Sequence, residues 1–471
     1  MTRKGRAVLL AGAAFAAMGP LPAIAQPLPA IAQTAHEAEL EARLKMLEQA
    51  VSDLRGELDA TKTSQQATAA QASTAQSQQT ATDVKIAKLE ARPVSLAEGF
   101  RDGATTIKLG GYIKTIASFT QFNDGSVAGN SSGRDFYLPS ATPIGGTRTR
   151  VNEISAKQSR FWLNLQTDVA GHALKGYFEG DFITAPGTQG SQRTTNGYNF
   201  AMRRAFVQFD KLLIGQDWST FQYVAALPES TDFVGATEGT VFVRQPLVRY
   251  TVPLGKQFTL AVAAENPETA SAAEGTPTLV ENDDDHIPDF VARLQYASSF
   301  GELSVAGIGR QVSAVNGTQH ANTSGYGVSA AGKVNLNSTK TADFRFMATY
   351  GHGIGRYVGL NFAPDAILVP GSNDLRDVNV FAAFAAVHVP LASSVRVNLI
   401  GSYQRVDYPD GFTATAFNAF NKESWSGAGN IFYTPVKGFD LGVEYRHGRR
   451  EIGSGASGTL DRVEFAAKYG F

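Results

Sequence analysis

Strict alternation of apolar and polar residues over the last thirteen positions constrains the fold more than any other feature. Residues 459–471 read Thr-Leu-Asp-Arg-Val-Glu-Phe-Ala-Ala-Lys-Tyr-Gly-Phe. Successive side chains of a β-strand point to opposite faces, so Val463, Phe465 and Tyr469 would share one apolar face. The opposite face would carry Arg462, Glu464 and Lys468. A strand between lipid and a water-filled interior needs this pattern, although a soluble sandwich strand also alternates.

The same alternation recurs from Thr105 to Phe471, in segments separated by Gly, Asn, Asp and Ser turns. About sixteen segments alternate, an even number as single-chain bacterial barrels require. We therefore predict an all-β transmembrane barrel over residues 105–471, with a lumen wide enough for water. Tyr469 and Phe471 resemble the end of an outer-membrane barrel, where the barrel assembly machinery reads the last strand.

The joins between these segments differ in length and so predict the two ends of the barrel. Residues 169–172 and 297–301 are short and predict periplasmic turns. Four longer joins predict external loops: residues 123–152, 185–198, 266–286 and 357–376.

Composition removes several functional classes. The 471 residues include no Cys, which excludes disulfides, thiol catalysis and thiolate metal sites. The formal charge of -1 gives no basic field for nucleic acid. The seven His form no His-x-x-x-His pair. We expect no enzyme activity, cofactor, metal site or nucleic-acid partner.

The N-terminus predicts export. Basic residues within the first six positions precede a short apolar run, Ala7 to Met18, and then Ala-Ile-Ala before Gln26. Residues 1–25 are therefore a predicted signal peptide, with cleavage after Ala32 as the alternative. The apolar run is shorter than the roughly 20 residues of a spanning helix, and a membrane protein without such helices must be a barrel.

Residues 34–91 carry a heptad pattern that predicts a coiled-coil stalk. The core positions are Leu40, Leu44, Leu47, Val51, Leu54 and Leu58, followed in the same register by Ile86 and Leu89. The middle, Thr61 to Thr82, is rich in Gln, Ala, Thr and Ser. It is either the weak centre of one continuous helix or a disordered linker. A coiled coil of three helices would match a trimeric barrel.

Residues 213–253 carry a family resemblance. They contain Leu-Ile-Gly-Gln-Asp-Trp-Ser-Thr-Phe (213–221), Ala-Leu-Pro-Glu-Ser-Thr-Asp-Phe (226–233) and Val-Phe-Val-Arg-Gln-Pro-Leu-Val-Arg-Tyr-Thr (241–251). This segment resembles the DcaP-like porins, which are trimeric sixteen-stranded barrels with an N-terminal periplasmic coiled coil. The resemblance implies uptake of dicarboxylates and other small anions across the outer membrane. Asp217 and Ser230 depart from the usual pattern of the family.

The segment from Trp218 to Arg244 occupies the position of the loop that folds into a porin lumen and narrows it. Candidate pore residues are Glu229 and Asp232 on this loop, Arg244 and Arg249 at its return, and the inward residues Arg204, Arg293, Arg345, Arg396 and Arg446. As a set the arginines would favour anions, because guanidinium groups concentrate anions and bind carboxylates bidentately. The alternative for any single arginine is pairing with an inward carboxylate such as Glu179, Asp181 or Glu444.

These features predict a passive porin for small anions, with dicarboxylates or aromatic acids as solutes. We expect a homotrimer surrounded by outer-membrane lipid of a Gram-negative bacterium, with the stalk in the periplasm. One alternative is a general diffusion porin without substrate preference. Another is an envelope tether whose coiled coil binds peptidoglycan and whose barrel is only an anchor.

Overall fold

The computed structural model describes residues 37–62, 99–129, 131–183, 197–281, 285–316, 319–369 and 371–471. The chain forms two compact units, Met1–Pro93 and Val94–Phe471. The predicted signal peptide and the part of the predicted stalk beyond residue 62, with Ile86 and Leu89, lie outside the described residues. Within the described ranges, no helix has the length and hydropathy needed to cross a membrane.

The first unit contains one described helix, α1, over residues 37–62. All six predicted core positions within it are exposed, from 46% at Val51 to 64% at Leu47 and Leu54. An apolar stripe of this kind on a single helix gains its stability from packing against another surface.

The described residues of the second unit contain 22 strands. In chain order they are β1 (Phe100–Asp102), β2 (Thr105–Phe122), β3 (Thr149–Ser155), β4 (Arg160–Val169), β5 (His172–Asp181), β6 (Ala201–Phe209), β7 (Leu212–Trp218), β8 (Arg244–Leu254), β9 (Phe258–Glu265), β10 (Ala270–Ala273), β11 (Thr276–Glu281), β12 (Asp289–Ser298), β13 (Gly301–Asn316), β14 (Gln319–Asn335), β15 (Asp343–His352), β16 (Ala366–Leu368), β17 (Leu375–Asp377), β18 (Asn379–Ala392), β19 (Val395–Asp407), β20 (Asn421–Val436), β21 (Phe439–Ile452) and β22 (Ser457–Gly470).

Sixteen of these strands, all except β1, β3, β10, β11, β16 and β17, close into one antiparallel barrel. The closure joins the first and last barrel strands, with Tyr112–Phe122 of β2 opposite Leu460–Gly470 of β22. The predicted sixteen-stranded barrel is therefore confirmed. Strand β3 continues β4 along the same edge of β2, across an irregular junction at residues 156–159.

Side chains alternate between the two faces of the barrel wall. In β22, Arg462 and Glu464 are each 2% exposed, whereas Phe465 and Tyr469 are about half exposed. A turn of Ala170 and Gly171, both with positive φ, joins β4 to β5. Such turns match the twist of a hairpin.

The wall is lower on one side than on the other. Strands β4 to β9 contain 7 to 11 residues, whereas β13 and β14 contain 16 and 17. The long segment between β7 and β8 starts from the low side.

Two of the predicted external loops contain regular structure. Strands β10 and β11 from residues 266–286, and β16 and β17 from residues 357–376, form a separate four-stranded sheet. The sheet exists because β10 and β16 pair in parallel. Strict alternation over three or four residues is too short a signal to predict such a pair. A third predicted external loop, residues 123–152, contains the short helix α2 (Ser132–Asp135). The last four residues of that loop, 149–152, belong to β3.

Candidate pore and constriction

Residues 219–243 connect β7 to β8, and we call them the inner loop. Near its start, the backbone N–H of Thr220 donates to Glu265 on β9 at 2.6 Å. Further along, inward guanidinium groups donate to its carbonyl oxygens: Arg293 to Gln222 and Arg345 to Leu227, both at 2.6 Å. The inner loop therefore runs along the inside of the wall, strand after strand.

The tip of the inner loop reaches the opposite side of the barrel. Arg396 on β19 binds Glu229 bidentately, with Nε to Oε2 at 2.8 Å and Nη2 to Oε1 at 2.6 Å. Ser230 donates to Glu444 on β21 at 2.6 Å. Strand β7 is the fifth and β19 the thirteenth of the sixteen barrel strands. The tip of the loop is therefore eight strand positions from its start, which is half of the ring.

Most of the sequence-predicted arginines have carboxylate partners. Arg204 is bonded to Asp217 at 2.5 Å, Arg345 to Asp343 at 2.6 Å and Arg446 to Glu444 at 2.8 Å. Arg249 is also bonded to Asp217. Asp217 therefore bridges two of the candidate pore arginines.

Two of the candidates are almost completely buried. Arg446 is 1% exposed and Asp232 is 6% exposed. Asp232 accepts the backbone N–H of Tyr137 at 2.7 Å and lies 3.9 Å from Arg462. Alternation in the sequence predicted the inward direction of Arg446, but its burial depends on a loop, because the ring centroid of Tyr137 lies 5.0 Å from its guanidinium.

Arg244 and Arg293 lack the carboxylate partner that the other candidate arginines have among the described residues. Arg293 instead donates to the carbonyl oxygen of Gln222, whereas Arg244 lies against aromatic rings. Its guanidinium carbon lies 3.5 Å from the ring centroid of Trp218 and 5.1 Å from that of Phe242. Within the part of the chain that the structure describes, no carboxylate oxygen lies within 4.0 Å of its nitrogens, and its Nε has no hydrogen-bond partner. A cation held against aromatic faces keeps its charge available to a solute.

Two cavities meet at Arg244. The first, of about 260 Å³, is lined by Phe136, Met202, Arg203, Gln216, Phe233, Phe242, Arg244 and Leu360. The second, of about 250 Å³, shares Phe242, Arg244 and Leu360 and also contacts Arg356. Arginine side chains therefore line both cavities beside aromatic and aliphatic groups, and the second cavity is also lined by Glu268 and Glu281.

Sequence reasoning missed Arg203. Simple alternation sends Arg203 and Arg204 to opposite faces, but the register of β5 with β6 shifts between Glu179 and Gly180. This β-bulge brings both side chains inward, so that Arg203 donates to Asp181 at 2.8 Å while Arg204 contacts Glu179. An extra residue in one strand has no signature in a period-two pattern.

Arg160 was missed too. It donates to Asp181 at 2.7 Å and to Glu179 at 3.1 Å. The guanidinium groups of Arg160 and Arg203 both lie 5.7 Å from the ring centroid of Phe233 on the inner loop. Two wall arginines, both paired with carboxylates, thus face an aromatic ring of the inner loop.

Glu238 of the inner loop is fully buried and accepts hydrogen bonds from Tyr137 at 2.6 Å and from Ser426 at 2.9 Å. Burial raises the pKa of its carboxyl, and the hydrogen bond from Tyr137 and the charge of Arg446 oppose that rise. Among the described residues, no three His, Asp or Glu side chains are grouped so as to hold a metal ion.

A closed sixteen-stranded barrel, apolar outside and charged inside, with a chain segment folded across its lumen, defines an outer-membrane porin. The DcaP outer membrane protein family model matches residues 100–471. The chain belongs to this family.

The comparison with solved structures found several outer-membrane channels, of which DcaP of Acinetobacter baumannii shows the same fold. The outer membrane channel DcaP of Acinetobacter baumannii is 24% identical with a TM-score of 0.64, over 79% of this chain and 99% of that chain. The anion-selective porin from Comamonas acidovorans is 12% identical, with a TM-score of 0.49, over 78% of this chain and 100% of that one. The trimer form of OmpT from Vibrio cholerae is 11% identical, with the same TM-score and coverage. No curated protein matches the sequence.

Proposed function

We propose that this porin passes small organic anions by passive diffusion and that Arg244 selects for negative charge. The observation that carries the proposal is the position of Arg244 between two cavities, held by Trp218 and Phe242, with no carboxylate oxygen within 4.0 Å of its nitrogens among the described residues. Positive groups in a narrow, low-dielectric passage raise the local concentration of anions.

The lining of the larger cavity supports aromatic acids as solutes, beside the dicarboxylates that the family resemblance implies. Arg203 and Arg244 provide donors for a carboxylate, and Phe136, Phe233 and Phe242 provide apolar surface for a ring. A carboxylate can be bound bidentately by guanidinium, while a ring packs on aromatic faces.

We assign the other candidate arginines to holding the inner loop. Arg293 and Arg345 bind loop carbonyls, and Arg396 binds the loop carboxylate of Glu229. Arg345 and Arg396 are also matched by the carboxylates of Asp343 and Glu229, and a matched guanidinium adds little to the field that a passing solute meets. Arg293 is assigned to the loop on its bond to the Gln222 carbonyl oxygen alone.

The test is the reversal potential of purified protein in planar bilayers under a potassium chloride gradient. We expect anion selectivity in the wild type, a loss of it in Arg244→Ala and retention of most of it in Arg244→Lys. Arg405→Ala is the matched control, because Arg405 is 51% exposed in β19 and pairs with Asp407 at 3.0 Å. Unchanged selectivity in Arg244→Ala would contradict the proposal, and equal permeability to both ions in the wild type would favour a general diffusion porin.

We further propose that residues 34–91 form a trimeric coiled coil in the periplasm. The exposed stripe from Leu40 to Leu58 on α1 supports self-association. Deletion of residues 34–91 tests this through the mass of the detergent-solubilised protein. Loss of trimers would support assembly by the stalk. Intact conducting trimers that no longer co-sediment with peptidoglycan would favour the tethering alternative.

A further inference from the structure

A second loop enters the barrel beside the inner loop. We call residues 123–148, between β2 and β3, the first loop. Its residue Gly133 accepts a hydrogen bond from the inward Arg462 of β22 at 2.7 Å. Its residues Val127 and Tyr137 pack with Phe122 and Leu460 in a small apolar cluster. The first loop is therefore held inside the wall, close to the tip of the inner loop.

Tyr137 joins the first loop to the inner loop through every polar group it has. Its backbone N–H donates to Asp232 at 2.7 Å and its hydroxyl donates to Glu238 at 2.6 Å. Its carbonyl oxygen accepts from Thr237 at 3.2 Å. The side chain is completely buried, so these three bonds form away from water, where an unmade bond is costly.

The barrel wall is shaped to receive the ring of Tyr137. Gly448 of β21 faces it, and a Cβ at that position would lie 2.6 Å from the Tyr137 hydroxyl and 2.9 Å from a ring carbon. The guanidinium of Arg446 lies 5.0 Å from the ring centroid. Only glycine leaves room here, so wall and loop fit each other.

Anchoring Tyr137 fixes its neighbour Phe136, which is 4% exposed, at the wall of a cavity. Phe136 lines the larger cavity together with Arg203 and Arg244. Its ring lies 5.4 Å from that of Phe233 on the inner loop. The two loops thus supply adjoining aromatic groups to the same cavity.

We infer that Tyr137 is a positioning residue that locks the first loop to the inner loop, so that Phe136 forms a second, apolar selectivity element of the passage. This inference rests on the proposed function, because it needs solutes to pass beside Arg244. It assigns charge selection to Arg244 and selection for aromatic over aliphatic anions to Phe136.

The experiment measures single-channel conductance and the permeability of benzoate relative to acetate in planar bilayers. For Phe136→Ala we expect higher conductance and a several-fold fall in the benzoate to acetate ratio, because a ring loses its apolar contact. Tyr137→Ala should do the same, with added fluctuations of the open-channel current. Tyr137→Phe keeps the ring and the bond to Asp232, and should restore the wild-type ratio.

Tyr350→Ala is the matched control, because Tyr350 is 51% exposed on the outer face of β15. Gly448→Ala provides a second route, since it pushes on the Tyr137 ring without removing any polar group. Wild-type conductance and ratio in folded Phe136→Ala and Gly448→Ala would overturn the inference. That result, combined with lost anion selectivity in Arg244→Ala, would leave the proposed function standing. Unchanged selectivity in Arg244→Ala would overturn the proposed function instead.

Discussion

Arginine has opposite roles at the tip of the inner loop, Glu229 and Ser230, and at its return, where the chain rejoins the wall at Arg244. At the tip, Glu229 is bound by Arg396, and Glu444 is bound by Arg446 and Ser230. At the return, Arg244 lies against Trp218 and Phe242. Matched charges hold a geometry, whereas a charge held by aromatic faces is left to act on a solute. The same residue type therefore has a structural role on one side of the lumen and a selective role on the other.

Removing a guanidinium at the tip should have the largest effect on stability. Arg446 and Glu444 are 2% and 3% exposed, so Arg446→Ala leaves a buried carboxylate without its cation. Losing one partner of such a pair costs about 3–5 kcal/mol. Urea or heat unfolding, followed by gel mobility, measures the loss. Arg405→Ala, at an exposed pair, should cost no more than about 1 kcal/mol. Equal losses of unfolding free energy in Arg446→Ala and Arg405→Ala would contradict the proposed difference between the buried pair at the tip and an exposed pair.

Neutralising Asp217 should leave Arg204 and Arg249 less matched by carboxylates, and so make them act on permeating ions as Arg244 does. Asp217 is shared by Arg204 and Arg249, so Asp217→Asn leaves two guanidinium groups with one negative charge fewer. We expect the reversal potential to shift further toward that of an ideal anion channel, by less than Arg244→Ala shifts it the other way. Arg405→Ala again serves as the control. A shift toward cations would show that these arginines do not face the permeating ions.

Salt concentration should sharpen the comparison through screening. The Debye length falls from about 10 Å at 0.1 M to about 3 Å at 1 M. Anion selectivity of the wild type should therefore weaken as potassium chloride is raised at a constant gradient ratio, and Arg244→Ala should vary less. Selectivity that is independent of salt would point to pore width rather than charge.

The smallest effect is expected from pH, through Glu238 beside the tip. Burial raises the pKa of this carboxyl above its ordinary value of 4.5, so the folded protein holds the proton more tightly than the unfolded chain does. Protonated Glu238 stabilises the folded protein fully below the pKa that this carboxyl has in the unfolded chain. The stabilisation is lost as pH rises through the higher pKa that it has in the folded protein. Heat-unfolding midpoints of wild type and Glu238→Gln across that range should therefore differ in slope, with the wild type falling more. Parallel curves would contradict this assignment.

The alternation of side chains was enough to predict the barrel and the direction of most arginines. Each strand must present one face to lipid and the other to water, so neighbouring residues such as Phe465 and Glu464 show the pattern directly in the sequence. Arg203 escaped because its direction depends on a bulge in the register with β5. Tyr137 escaped because a loop residue carries no periodic signal at all.

The sequence by itself determined a membrane barrel of about sixteen strands, a heptad-patterned N-terminal segment and a long segment between β7 and β8. Only the tertiary structure decided which arginines are matched by carboxylates. Partners such as Arg396 and Glu229 are 167 residues apart and meet because the barrel closes and the inner loop crosses half of its ring. Charge pairing depends on distances of a few ångströms, and those distances are set by register and loop path rather than by local pattern.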